Sequence, residues 1–125
     1  MTANIDRLLA RVRAGLPHRP TAAELPALLE DGALVVDIRP VEQRQRDGEL
    51  AGAVVVDRNV LEWRLDPTSP HRLPEAGDPG RRIIVVCNEG YASSLAAATL
   101  QELGLRNATD LDGGFQALLA AQPPR

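Results

Sequence analysis

The residue best placed to do chemistry is Cys87, the single cysteine of the 125-residue chain. It directly follows 83–86, an apolar run typical of a strand that is buried in a parallel sheet, and it precedes a loop and a helical segment. Ligand sites in open parallel sheets lie beyond the carboxyl ends of the strands, which is where Cys87 stands. A thiolate at that position is a nucleophile. The alternative is a buried, inert cysteine that caps a core strand.

The residues after the thiol favour the functional interpretation. Gly90 stands three residues after Cys87 and allows a sharp bend, which turns successive backbone amides inward. The helix that follows adds the positive end of its dipole. Because both features stabilise a negatively charged sulfur, we predict that Cys87 is a catalytic nucleophile.

Strands and helices alternate around this segment. Runs rich in β-branched residues predict three strands, at 33–38, 53–57 and 83–86, and a short last strand is expected at 108–111. Thr21 and Glu24 have capping-box spacing at the start of one helix, and apolar residues at helical spacing predict another at 92–103. The alternation predicts an α/β domain with a mostly parallel sheet covered on both faces. Trp63 and Phe115 are expected to anchor its core.

We expect a single domain over residues 1–125. Its core spans about 19–121, and an amphipathic N-terminal helix at 3–15 precedes the core because apolar residues recur there at helical spacing.

Composition excludes several classes of function. A formal net charge of −3 gives no electrostatic basis for a nucleic-acid or anionic-membrane partner. One cysteine excludes an internal disulfide, and with only two histidines it makes a zinc site improbable, so no metal is expected. The sequence has neither a membrane span nor the apolar core of a signal peptide. All 14 basic residues are arginines, a composition that predicts a cytoplasmic bacterial protein.

Four segments carry a resemblance that covers most of the chain. In order they read VVDIR at 35–39, GELAGA at 48–53, VVCNEG at 85–90 and DGGF at 112–115. Their residue types, order and spacing resemble the rhodanese family of sulfurtransferases. The resemblance implies a rhodanese-like three-layer fold with about five strands in the sheet.

It also implies a reaction in which Cys87 takes a sulfur from thiosulfate or a persulfide and passes it to cyanide, a thiol or a protein. No cofactor is required. A structural role is expected for Asp37 and Arg39. The persulfide would be held by the loop residues Asn88, Glu89, Gly90, Tyr91, Ala92 and Ser93.

The loop departs from the family pattern in its charge. Ala92 stands where the family often has arginine, and Glu89 adds a negative charge that disfavours an anionic donor. Arg58, just after the second strand, could contact an anion, or it could be a surface arginine paired with Asp57. These departures leave a non-catalytic, protein-binding module as the alternative function. A related phosphatase would need arginine at position 93, which is serine here.

Overall fold

Four short runs of apolar residues form one parallel sheet in a computed structural model, in which residues 2–122 are described. The strands, in the order in which they lie side by side, are β2 (Val54–Val55), β1 (Leu34–Asp37), β3 (Ile83–Val86) and β4 (Ala108–Asp110). The expected parallel arrangement is confirmed. The expectation of about five strands is not, because the sheet has four strands within residues 2–122.

The register of the sheet brings the strand ends that carry polar residues to one edge. Asp37, the last residue of β1, is paired with Val86, the last residue of β3. Asp110 ends β4 opposite Val85. Cys87 therefore leaves the sheet between two strands whose final residues are both buried aspartates.

Six helices of the described residues surround the sheet. They are α1 (Asn4–Ala14), α2 (Leu25–Glu30), α3 (Val41–Asp47), α4 (Leu61–Leu65), α5 (Ala92–Glu102) and α6 (Gly114–Ala121). Three short 3-10 turns complete the chain, at Ala22–Glu24, Arg58–Val60 and Pro74–Ala76. The predicted capping box is present, since the Glu24 carboxylate accepts the Thr21 backbone N–H at 3.0 Å.

Alternate strand residues face opposite sides of the sheet and build two apolar layers. Val36 and Val85 point into the layer that contains Leu61 of α4 and Leu100 of α5. The other layer holds the intervening strand residues with Leu25 of α2 and Phe115 of α6, both of which are buried. Helix α1 packs outside the first layer, against α5.

Two sequence expectations about burial are wrong. Trp63 is 59% exposed, so only Phe115 of the two expected anchors lies in the core. The apolar face expected at 92–103 is buried at Ala96 and Leu100 but wrong at its end, where Leu103 is exposed. It also omits Ser93, Ser94 and Ala97, which are buried. Among the described helices, none has the length and apolar character needed to cross a bilayer.

Candidate active site

The sulfur of Cys87 sits in a tight backbone turn at the end of β3. The Gly90 and Ser93 backbone N–H groups donate to Sγ, at N···S distances of 3.2 and 3.3 Å. Gly90 adopts φ of +86°, and a Cβ there would lie 2.8 Å from the Gly113 nitrogen. Only glycine fits this position, and two amides consequently point at a sulfur that is 8% exposed.

The start of α6 holds the other side of the same turn. The Phe115 N–H donates to the Cys87 carbonyl at 2.9 Å, and the Gln116 N–H donates to the Asn88 carbonyl at 3.0 Å. A Cβ on Gly114 would lie 2.6 Å from the Cys87 carbonyl oxygen. The glycine pair before α6 therefore lets two helix amides hold the loop carbonyls.

A buried hydrogen-bond chain leads from the thiol to a carboxylate. The Cys87 thiol donates to Ser93 Oγ at 3.1 Å, and the Ser93 hydroxyl donates to Asp110 Oδ2 at 2.7 Å. The Ser94 hydroxyl donates to the same carboxylate oxygen at 2.8 Å. Since a hydroxyl has one proton, Ser93 presents a lone pair to the sulfur while it is bonded to Asp110.

Two arginines from the N-terminal segment donate hydrogen bonds to this network. Arg19 forms a bidentate ion pair with Asp110, in which Nε donates to Oδ1 at 2.7 Å and Nη2 donates to Oδ2 at 3.2 Å. The hydrogen bond to Asp110 raises the pKa of Arg19 and outweighs its partial burial, so the guanidinium stays charged. Arg13 reaches from α1 to the Gly90 carbonyl with Nη2 at 2.7 Å and to Ser94 Oγ with Nε at 3.0 Å.

Asp37 and Arg39 form a buried pair beside the loop. Arg39 donates to Asp37 Oδ2 from Nη2 at 2.8 Å and to the Gly48 carbonyl at 2.9 Å. The guanidinium also stacks on Phe115, with Cζ 3.7 Å from the ring centroid. These contacts join the end of β1 to the turn before β2 and to α6, which fits the structural role expected for both residues.

The thiol faces a cleft of about 390 Å³. Its walls are Ile38, Arg39, Pro40, Gln43, Arg58, Cys87, Asn88, Glu89, Tyr91 and Ala92. Of the six expected loop residues, Asn88, Glu89, Tyr91 and Ala92 line this cleft, whereas Gly90 and Ser93 lie behind the sulfur and hold it. Glu89, Tyr91 and Ala92 are exposed at its mouth.

Arg58 lines the cleft, but its positive charge is already paired with the Glu62 carboxylate. Its Nη1 donates to both Glu62 carboxylate oxygens at 3.0 Å. Burial raises the pKa of Glu62, but hydrogen bonds from Thr99 and the charge of Arg58 outweigh it, so that pKa lies below its ordinary value. The expected alternative partner, Asp57, instead accepts the Asn59 N–H at 2.7 Å as a helix cap.

Sequence reasoning missed Arg13, Arg19, Ser94 and Asp110. One signal for Asp110 was available, because a carboxylate in the apolar run at 108–111 needs a buried partner. No local pattern could have identified that partner as Arg19, which lies 91 residues away in sequence.

Comparison with known proteins identifies the family. A model of the rhodanese-like domain matches residues 21–121, which is most of the chain. The chain belongs to the rhodanese-like family. The α/β fold with helices on both faces of a parallel sheet is the rhodanese fold, and the matched residues contain Cys87 and its whole loop.

Three similar proteins illustrate the range of the family. The thiosulfate sulfurtransferase GlpE of Pseudomonas fluorescens (strain SBW25) is 35% identical over 98 residues, which are 78% of this chain and 80% of that protein. The adenylyltransferase and sulfurtransferase MOCS3-2 of Zea mays is 35% identical over 116 residues. These cover 90% of this rhodanese-like chain but 23% of the maize protein, so the chain spans less than a quarter of that relative.

Among solved structures, the protein RPA3614 of Rhodopseudomonas palustris CGA009 superimposes with a TM-score of 0.84 at 31% identity. The superposition covers 99% of this chain and 95% of that one. RPA3614 is described as a protein of unknown function and a possible tyrosine phosphatase.

Proposed function

We propose that this rhodanese-like protein is a sulfurtransferase that moves a sulfane sulfur through a persulfide on Cys87. The observation that carries the proposal is the sulfur held by two backbone amides at the end of β3, facing an open cleft. Amides that point at sulfur stabilise the anionic nucleophile and the anionic persulfide alike. The sulfurtransferase relatives support a rhodanese-type enzyme.

The reaction balances without a cofactor. The Cys87 thiolate attacks the outer sulfur of thiosulfate, a new S–S bond forms, and the bond to the sulfonate sulfur breaks so that sulfite leaves with its electron pair. With a persulfide donor, a thiolate leaves in place of sulfite. An acceptor thiolate or cyanide then attacks the outer sulfur and releases the Cys87 thiolate.

The acceptor in this proposal is a second molecule. Cys87 is the only cysteine in the sequence, so no thiol of the same chain can take the sulfur. We propose a small thiol or a protein thiol as the acceptor, and the bacterial cytoplasm as the location, where such thiols stay reduced. Neither nucleic acid nor a membrane is required.

The charges at the cleft favour a donor with a low charge. Glu89 is exposed at the mouth, Ala92 contributes no positive charge, and Arg58 is paired with Glu62. A doubly charged thiosulfate meets more repulsion there than a singly charged persulfide. We therefore propose that persulfide donors load Cys87 faster than thiosulfate does.

Two other functions receive less support. The same charges, Glu89 present and an arginine absent at position 92, favour a non-catalytic module that binds a protein partner. A phosphatase needs an arginine that clamps phosphate at the mouth of the loop. Here Arg13 and Arg19 contact the Gly90 carbonyl from behind the loop, so they do not provide that clamp.

The experiment is to incubate the protein with thiosulfate or with cysteine persulfide, whose net charge is −1, and to measure its intact mass. Wild type should gain one sulfur, about 32 Da, and the Cys87→Ser variant should gain none. The rate of gain should be higher with the persulfide. A wild-type mass that no donor changes would refute the enzyme and leave the binding module.

A further inference from the structure

The loop that holds Cys87 is supported by a residue outside the family domain. The rhodanese-like match begins at residue 21, whereas Arg13 belongs to α1, which ends at Ala14. Its guanidinium nevertheless donates at 2.7 Å to the carbonyl of Gly90, the residue whose N–H points at the sulfur. The helix before the domain thus makes direct contact with the active-site loop.

The Gly90 carbonyl is the point at which the support converges. It accepts from Arg13 Nη2 at 2.7 Å and from Arg19 Nη2 at 3.2 Å, and Ser94 Oγ lies 3.3 Å from it. The N–H of the same residue donates to Cys87 Sγ, so contacts at the carbonyl restrain the residue whose amide faces the sulfur. Arg13 makes the shortest of the three contacts.

Arg13 differs from Arg19 in its net electrostatic effect. Arg19 is paired with Asp110 and lies 3.4 Å from Asp112, so its charge is compensated. The contacts of Arg13 are neutral, namely Gly90, Ser94 and the ring of Tyr91 at 5.9 Å. Within residues 2–122, no carboxylate lies within ion-pair distance of Arg13. Its positive charge is therefore not directly paired, although Ser94 links it to the Asp110 carboxylate.

We propose that Arg13 is a positioning residue that favours ionisation of Cys87, supplying from α1 a positive charge that the loop lacks at Ala92. The proposal rests on the proposed function, because a reactive thiolate is what sulfur transfer requires. Ionisation of the Cys87 thiol can nevertheless be measured without any sulfur transfer. Charged or titratable groups surround the Cys87 loop on several elements. They are Arg13 of α1, Arg19 before α2, Asp37 at the end of β1, Arg39 and Arg58 in the cleft wall, Glu89 and Tyr91 in the loop, Asp110 at the end of β4, and Asp112 just after it.

The test is the rate of iodoacetamide alkylation of Cys87 as a function of pH. In Arg13→Met, we expect the midpoint of the profile to rise by about one pH unit, and alkylation at pH 7 to slow by roughly tenfold. Arg13→Lys keeps the charge but loses the fork, so its midpoint should lie between those of the other two proteins. Arg11→Met is the matched control, since Arg11 is exposed on the same helix, and its profile should equal that of wild type.

A thermal melt of each variant checks that it is folded at the assay temperature. Should Arg13→Met not fold, Arg13→Gln gives the same reading, because glutamine removes the charge while keeping a donor for the Gly90 carbonyl. A folded neutral variant with the wild-type midpoint overturns the role of Arg13, whatever the sulfur loading of wild type. Conversely, a shifted midpoint together with a wild type that takes sulfur from no donor supports Arg13 and refutes the sulfurtransferase.

Discussion

We expect replacement of Asp110 with asparagine to make Cys87 more reactive while making the protein less stable. In the native network the Asp110 carboxylate accepts the Ser93 hydroxyl at 2.7 Å, and Ser93 in turn accepts the thiol proton at 3.1 Å. This arrangement favours the thiol over the thiolate in two ways. The carboxylate is a nearby negative charge, and it holds the hydroxyl proton that Ser93 could otherwise donate to a thiolate.

The size of the effect follows from these distances. Cys87 Sγ and Asp110 Oδ2 are at most about 6 Å apart, given their contacts with Ser93. Two unit charges at that separation interact by about 3 kcal/mol at an effective dielectric constant of about 20, which equals roughly two pH units. Arg19, bonded to the same carboxylate, offsets part of this interaction. We therefore expect the midpoint of the alkylation profile to fall by about one pH unit in Asp110→Asn.

Stability should move in the opposite direction. Asp110 is fully buried and its partner Arg19 is 18% exposed, so the variant leaves a largely buried guanidinium without its carboxylate. Removing one member of such a pair lowers the free energy of unfolding by about 2 kcal/mol or more. A thermal melt measures this loss, and iodoacetamide alkylation from pH 5 to pH 10 measures the midpoint.

Asp112→Asn is the matched control for Asp110. Asp112 contacts the same Arg19 at 3.4 Å but is 60% exposed, so its replacement should change neither the melt nor the profile by a measurable amount. A midpoint in Asp110→Asn that is unchanged or higher than that of wild type would refute the reasoning. In that case Asp110 would serve only to hold Arg19 and the loop in place.

Two further predictions concern the mouth and the base of the loop. Ala92→Arg should raise kcat/KM for thiosulfate several-fold because it adds a positive charge at the cleft. The control is Ala92→Gln, which is polar but uncharged and should not raise it. Equal turnover in the two variants would contradict the electrostatic account of donor choice. Gly114→Ala should destabilise the fold more than Gly104→Ala, by about 1–3 kcal/mol in chemical denaturation. Both glycines have positive φ, but only a Cβ at Gly114 meets the Cys87 carbonyl, at 2.6 Å. Equal losses would mean that backbone strain, and not this contact, is what requires glycine at position 114.

The features that the sequence predicted correctly are those governed by neighbouring residues. The β-branched run at 83–86 forms β3, and the glycine spacing around Gly90 predicted the bend that turns amides to the sulfur. The capping box at Thr21 is equally local. Strand propensity, positive φ and capping depend on a few adjacent residues, so they can be recognised without knowledge of the fold.

The sequence predicted only in part which side chains of each helix are buried. Trp63 was expected in the core, yet it is exposed on α4, whereas Leu61 and Leu65 of the same helix are buried. On α5 the apolar pattern pointed to Leu103, whereas Ser93 and Ser94 are buried instead. Polar residues are not counted by an apolar pattern, although they are readily buried where a carboxylate accepts their hydroxyls.

The sequence by itself determined that the chain folds as a parallel α/β domain, that Cys87 directly follows a central strand, and that a glycine bend lies beside its sulfur. Only the tertiary structure decided which charges act on that sulfur. Arg13 and Gly90 are 77 residues apart in sequence, and Arg19 and Asp110 are 91 apart. Such partners meet because the strand order and the packing of α1 on α5 bring them together. Electrostatic interactions depend on distance in space, and spacing along the chain does not report that distance.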